Sequence, residues 1–219
     1  MKVLVVSPHP DDETLGAGGT ILRLINEGHK VSWLNITGIY KSRKFPDNIK
    51  QQRKSQIKHI KNYYKFSSCF DLMLPAAGLD GYDTCDAIEK ISSVIKKLEP
   101  EMLIIPDYND AHSDHKKVFD WCYASSKVFR FPYIKKIVCM EIISETDFGR
   151  PENPFIPNYY IDITKYIENK LEACAIYNTE IGESPFPRNL ENIRALAALR
   201  GSAAGVRYAE AFRIIKYIM

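Results

Sequence analysis

VVSPHPDDETLGAGGTIL, residues 5–22, joins the end of one aliphatic run to the start of an amphipathic one. Residues 3–6, VLVV, have the composition of a strand covered on both faces within a parallel sheet. Residues 14–26 place Leu15, Ile21, Leu22, Leu24 and Ile25 largely on one helical stripe, which ends at Gly28, a residue suited to a helix C-terminus. Residues 31–36 read as a second strand. The stretch is therefore the core of a βαβ unit. Its first turn, at the carboxyl end of the first strand, crowds together His9, Asp11, Asp12 and Glu13.

The alternation continues outward. Helical patterning is predicted over 48–64, 83–98, 116–128 and 165–177, and extended segments over 70–74, 102–106 and 137–143, with YIDIT (160–164) as a strand leading into a helix N-cap. Residues 144–160 hold Pro151, Pro154 and Pro157 and read as a loop. Residues 190–219 read as an alanine-rich helix interrupted at RGSAAGVRYAEAFRIIKY. Strands alternating with helices predict an α/β, Rossmann-like fold: a mostly parallel sheet with helices on both faces, binding its ligand beyond the carboxyl ends of the strands.

A chain of 219 residues, 45% hydrophobic and 26% charged, carries enough apolar material for one substantial core, and a single domain over 1–219 is expected. Five cysteines, scattered and without a CxxC pair, argue against a disulfide framework and a thiolate metal site, and fit a reducing, cytoplasmic compartment. No apolar run reaches the roughly 18 residues of a membrane span. A net charge of +3 is too small to imply nucleic acid, and the most basic segment, 41–65, has the spacing of a solvated helix face.

The chemistry gathers in two turns that each follow a buried strand: His9, Asp11 and Asp12 in one, His112, Asp114 and His115 in PDYNDAHSDH (106–115). If both strands are central and parallel, the turns meet at one edge of the sheet. Imidazole nitrogens with one carboxylate oxygen form an open site for a divalent metal of the zinc type. Asp11 and Asp12 are adjacent, so one can ligate while the other stands beside the attacking water as general base. His112 and His115 are three apart; if one ligates, the other can steady an oxyanion or protonate a leaving group. Gly16, Gly18 and Gly19 lack the spacing of a phosphate-binding loop and fit close helix packing behind the turn. The aromatic residues Phe45, Tyr82, Tyr108, Phe148 and Phe155 fall in loops at the same edge, while Arg200 and Arg207 could equally meet a charged substrate or lie on the surface.

His9-Pro10-Asp11-Asp12-Glu13 with Leu15-Gly16 and Gly18-Gly19-Thr20, together with His112-Ser113-Asp114-His115, resembles the zinc-dependent deacetylases of the PIG-L/LmbE family. The likeness extends to Gln51, Gln52 and Arg53 and to YAEAF (208–212). Members remove N-acetyl groups from N-acetylglucosamine-bearing molecules such as glycolipids and the sugar precursors of bacterial thiols. The resemblance implies His9, Asp12 and His115 as ligands of Zn2+ (Fe2+ being the alternative), Asp11 as general base, His112 at the tetrahedral intermediate or the departing amine, and Asp114 orienting His112. It implies Arg53 as a substrate contact and Glu13 as a tether of the turn. Some members carry a tyrosine where this chain has Asp110, which could instead hydrogen-bond sugar hydroxyls. The implied substrate is a small amino-sugar conjugate, and a homo-oligomer is left open. Two rival readings remain: another metal hydrolase such as a phosphoesterase, which would release phosphate from model esters, and a non-catalytic nucleotide-binding module, which would bind nucleotide without metal.

Overall fold

The computed structural model describes residues 1–40 and 45–219, so the first four residues of the basic segment lie outside the described residues. Its strands are β1 (Lys2–Ser7), β2 (Lys30–Gly38), β3 (Ser68–Pro75), β4 (Met102–Ile105), β5 (Lys136–Met140), β6 (Tyr159–Asp162) and β7 (Ala209–Tyr217). They form one sheet in the order β3-β2-β1-β4-β5-β7-β6. Pairing is parallel from β3 through β5 and antiparallel on both sides of β7. The helices are α1 (Asp12–Asn26), α2 (Asp47–Tyr64), α3 (Thr84–Leu98), α4 (Ser113–Ala124), α5 (Ile167–Ile176) and α6 (Leu190–Ala204).

The period-2 alternation of β1 sorts its side chains into two cores. Val3 and Val5 pack with residues of α1, α2, α5 and α6 on one face, and Leu4 and Val6 with residues of α3 and α4 on the other. The predicted doubly covered, mostly parallel sheet is therefore the observed one. α1 closes in a Schellman arrangement: Gly28, at φ 81°, donates to the Ile25 carbonyl, and His29 donates to that of Leu24. α4 starts three residues before the predicted position, because His112 caps it by accepting the Asp114 N–H on its own ring.

The segment after Ala204 departs from the sequence expectation. Gly205, at φ 70°, ends α6, and residues 209–217 become β7, inserted antiparallel between β5 and β6. A strand there buries Ala209, Ala211 and Phe212.

Behind the first turn, α1 is packed too closely for side chains. A Cβ on Gly19 would lie 2.8 Å from Ile163, and one on Gly18 would lie 2.7 Å from the Tyr64 hydroxyl. Glu210 of β7 reaches into the same place, accepting the N–H groups of Gly19 (2.9 Å) and Thr20 (2.7 Å). Lys170 of α5 pairs with Glu210 at 2.6 Å and donates to the Leu15 carbonyl at 2.8 Å. Both side chains are buried, so each charge depends on the other. Replacing Glu210 by Ala leaves a buried ammonium without its counter-charge and takes an acceptor from the Gly19 and Thr20 N–H groups, and should lower unfolding free energy by about 3–5 kcal/mol in urea titrations. A loss below about 1 kcal/mol, the scale of an exposed pair, would show the pair to be incidental.

Candidate active site

β1 and β4 lie side by side and parallel, pairing Val3 with Met102 and Val5 with Ile104. β1 leads through α1 to β2 on one side, while β4 lies on the other, so the crevice between their carboxyl ends is a topological switch point. The two histidine turns open into it. Asp11 takes φ 150°, an uncommon value for a residue with a side chain, and its N–H is held by Glu13 Oε2 at 3.1 Å. Glu13 is buried and also accepts from Thr14 Oγ1 and the Tyr177 hydroxyl, which makes it the tether expected of it.

Three donor atoms converge. Asp12 Oδ2 lies 3.4 Å from His9 Nδ1 and 3.3 Å from His115 Nε2. Two ligands of a tetrahedral ion with bonds of roughly 2.0–2.1 Å stand about 3.3–3.4 Å apart, so this triangle has the dimensions of a zinc-type centre. Each imidazole is backed by a carboxylate on its far nitrogen: His9 Nε2 meets Asp114 Oδ2 at 3.0 Å, and His115 Nδ1 meets Asp110 Oδ2 at 2.8 Å. That arrangement aims the near nitrogens at the centre and raises their basicity. The donor set thus fits the implied metal.

Two sequence expectations change here. Asp114 does not orient His112 through its carboxylate; the side chain reaches His9 and is fixed by the N–H groups of Ala77 and Leu79. Asp110 is fully buried behind His115 and accepts from Thr146 Oγ1 at 2.7 Å, so it is a support of the ligand and not a group on the cavity wall. Packing selects the partner in each case: the N–H groups of Ala77 and Leu79 hold the Asp114 carboxylate against His9, and the Thr146 hydroxyl holds that of Asp110 against His115.

Electrostatics divide the roles of the two adjacent acids. Burial favours protonated Asp12, but His115 and His9 overcome it and hold the carboxyl well below its usual range. Burial and the charge of Asp12 push Asp11 up to about 7, against the opposing pull of Arg53 and Arg188. Burial works against a charged His9, yet Asp114 and Asp12 raise it to about 9. His112 is lowered by burial, His9 and His115. Its Nδ1 accepts the Asp114 N–H at 3.0 Å, so the neutral ring carries its proton on Nε2 as a donor.

A cavity of about 540 Å³ opens over these groups, within the size range of small-molecule sites. Arg53 lines it but is engaged: Nη1 donates to the Pro10 carbonyl at 2.5 Å, and the guanidinium pairs with Glu180. Arg188, absent from the sequence reading, donates to Asp11 Oδ2 at 3.3 Å and lies 3.8 Å from Glu180. Glu180, Arg188 and Glu145 sit in connections without a motif, so spacing gave no signal for them. Of the loop aromatics, Phe45 lines the cavity; Tyr82 packs on Trp121, and Tyr108 and Phe155 flank Arg213. Phe148 is exposed, Arg200 pairs with Glu141, and Arg207 stacks on Tyr208.

The family model described as "PIG-L: GlcNAc-PI de-N-acetylase" matches residues 4–124, more than half of the chain, and the chain belongs to that family. It is similar to diacetylchitobiose deacetylase of Thermococcus kodakarensis, 25% identical over 98% of this chain and 83% of that protein. It is also similar to a probable N-acetyl-alpha-D-glucosaminyl L-malate deacetylase 2 of Bacillus cereus, 30% identical over 52% of this chain and 55% of that one. The solved N,N'-diacetylchitobiose deacetylase of Pyrococcus horikoshii, 24% identical, superposes with a TM-score of 0.79 over 98% of this chain and 84% of its own.

Replacing Asp110 by Asn keeps the volume but takes the carboxylate from His115; metal affinity, read by competition with a chromogenic chelator, should fall roughly 10- to 100-fold. Asp107, in the same turn, supplies a pH signature. Burial pushes its carboxyl up to about 6, against the Asn109 N–H and Arg213. The folded chain then holds a proton between the usual carboxylate value of about 4 and pH 6 that the unfolded chain has lost, so this group's contribution to stability falls as pH rises through that window. Asp107→Asn should therefore gain on the wild type between pH 4 and 6 in thermal melts; a constant difference across that range would contradict the assignment.

Proposed function

We propose that this chain is a metal-dependent N-deacetylase, with one domain over 1–219, which hydrolyses the N-acetyl group of an N-acetylglucosamine-type conjugate to acetate and a free amine. The observation that carries the reading is the His9–Asp12–His115 triangle, of which His9 and Asp12, with Asp11 beside them, line a cavity of about 540 Å³. The deacetylase relatives support the substrate class.

His9 Nδ1, Asp12 Oδ2 and His115 Nε2 would hold the ion, for which zinc is the first choice by donor type. Such an ion supplies Lewis acidity, polarising a carbonyl and easing the deprotonation of water. The chain's own residues handle the protons. Asp11, aligned by Arg188 and by the Glu13 tether, takes a proton from the attacking water as the new C–O bond forms. His112 presents Nε2–H to the oxygen that gains charge in the tetrahedral intermediate. Asp11 then returns its proton to the nitrogen as the C–N bond breaks, and the second water proton, left on the new acid, passes to the amine, so acetate and an ammonium leave together. Five free cysteines suit a reducing, cytoplasmic setting, and no helix of the described residues is long and apolar enough to cross a membrane.

Asp11→Asn retains shape but cannot accept the proton. Acetate release from N-acetylglucosamine conjugates should fall in kcat by roughly 10²- to 10⁴-fold, with metal content unchanged. Wild-type turnover by this variant would remove Asp11 from the mechanism.

A further inference from the structure

We propose that Glu145 is a specificity-determining residue of this site, its carboxylate accepting hydrogen bonds from ring hydroxyls of the sugar beside the acetamido group. The proposal rests on the deacetylase reading above and adds the group that recognises the sugar.

Glu145 lines the cavity together with His9, Asp12 and His112. Its backbone is fixed from several directions. Ser144, immediately before it, takes φ 75°, a left-handed value that is strained for a non-glycine residue and persists only where its surroundings impose it. Here the Glu145 N–H donates to the Ile142 carbonyl at 3.1 Å, and the Glu145 carbonyl accepts the Ala111 N–H at 2.9 Å, directly beside His112. Thr146 bonds Asp110 through its hydroxyl and accepts the Ile142 N–H. Farther along, Asn109 Nδ2 holds the carbonyls of Arg150 and Asn153, and the chain passes so near that a Cβ on Gly149 would lie 2.6 Å from the Asn109 carbonyl oxygen. The connection after β5 is thereby tied to the same turn that supplies His112 and His115.

The side chain is treated differently from its backbone. Asp12 faces two imidazoles, Asp11 faces Arg188, and Glu180 faces Arg53 and Arg188. Among the described residues, the carboxylate of Glu145 meets only the neighbouring Ser144 hydroxyl, at 3.4 Å. An ionised carboxylate accepts at about four lone-pair positions and donates at none, so its complement is a pair of O–H or N–H groups. A strained, locked backbone that presents such an acceptor beside the reacting centre is equipment for a polyhydroxylated ligand. With its backbone bonded to Ala111, the residue before His112, and its place on the cavity wall, Glu145 is assigned to the sugar ring and not to the acetyl methyl.

The test compares kcat/KM of wild type, Glu145→Gln and Glu145→Ala on N-acetylglucosamine, its 3-deoxy and 4-deoxy analogues and N-acetylcyclohexylamine, with metal content measured in each. Loss of a charge-assisted hydrogen bond predicts a roughly 10- to 100-fold fall on the sugar, a smaller fall on whichever deoxy analogue lacks the contacted hydroxyl, and little change on N-acetylcyclohexylamine. An equal fall on the sugar and on N-acetylcyclohexylamine, or no fall on either, overturns the proposal. If the wild type releases acetate from none of these compounds, it is the deacetylase reading that fails. Calorimetric binding of N-acetylglucosamine then decides Glu145 separately: weaker binding by the variants supports it, and equal or absent binding overturns it.

Discussion

A carboxylate buried just past the end of β1, beside the middle strand of the sheet, has to be answered by positive charge, and much of this structure is arranged around that requirement. Asp12 is 2% exposed, and its Oδ2 takes the His9 N–H at 2.8 Å while facing one imidazole from its own turn and one from α4. Such an anion is stable only where cations or hydrogen-bond donors replace the water it has lost. The imidazoles that answer it need support in turn, and Asp114 and Asp110 supply it from behind. The result is a shell of carboxylates around two nitrogens and one oxygen, a place where a divalent cation is favoured.

This arrangement depends on β1 and β4 being neighbours, which the crossover through α1, β2, α2, β3 and α3 makes possible. Parallel order brings two carboxyl ends to one level, and the N-terminal turns of α1 and α4 then meet across the crevice. The clamp of Lys170 and Glu210 on α1 links that geometry to the C-terminal strand. Residues far apart in sequence therefore hold one turn, and the glycines at 16, 18 and 19 let Met140, Tyr64 and Ile163 press against it.

The βαβ framework was legible because buried parallel strands are continuous aliphatic runs and the helices between them keep a 3.6-residue period. The two clusters were legible because His and Asp types crowd into two short turns, but the choice of Asp12 over Asp11 and of His115 over His112 came from the family resemblance alone. β7 was not, since an alanine-rich helix precedes it without a proline, and its strand character depends on β5 and β6 as partners. Nor could spacing show that Asp114 would support His9 and not His112, or that Asp110 would back His115 and not face the sugar, because the Ala77 and Leu79 N–H groups and the Thr146 hydroxyl that hold them lie far off in sequence. Arg188, Glu180 and Glu145 reach the cavity from connections whose course is set by tertiary packing, not by local pattern.

An ion at His9, Asp12 and His115 would make this chain a metal-dependent amide hydrolase. This dependence is tested most directly by acetate release from N,N'-diacetylchitobiose and related N-acetylglucosamine conjugates, using protein stripped by chelation and then titrated with zinc. Activity that is absent after stripping and rises to a plateau near one equivalent of zinc per chain is the predicted result. Acetate release that survives complete removal of metal, or none at any metal loading with any conjugate, would contradict it.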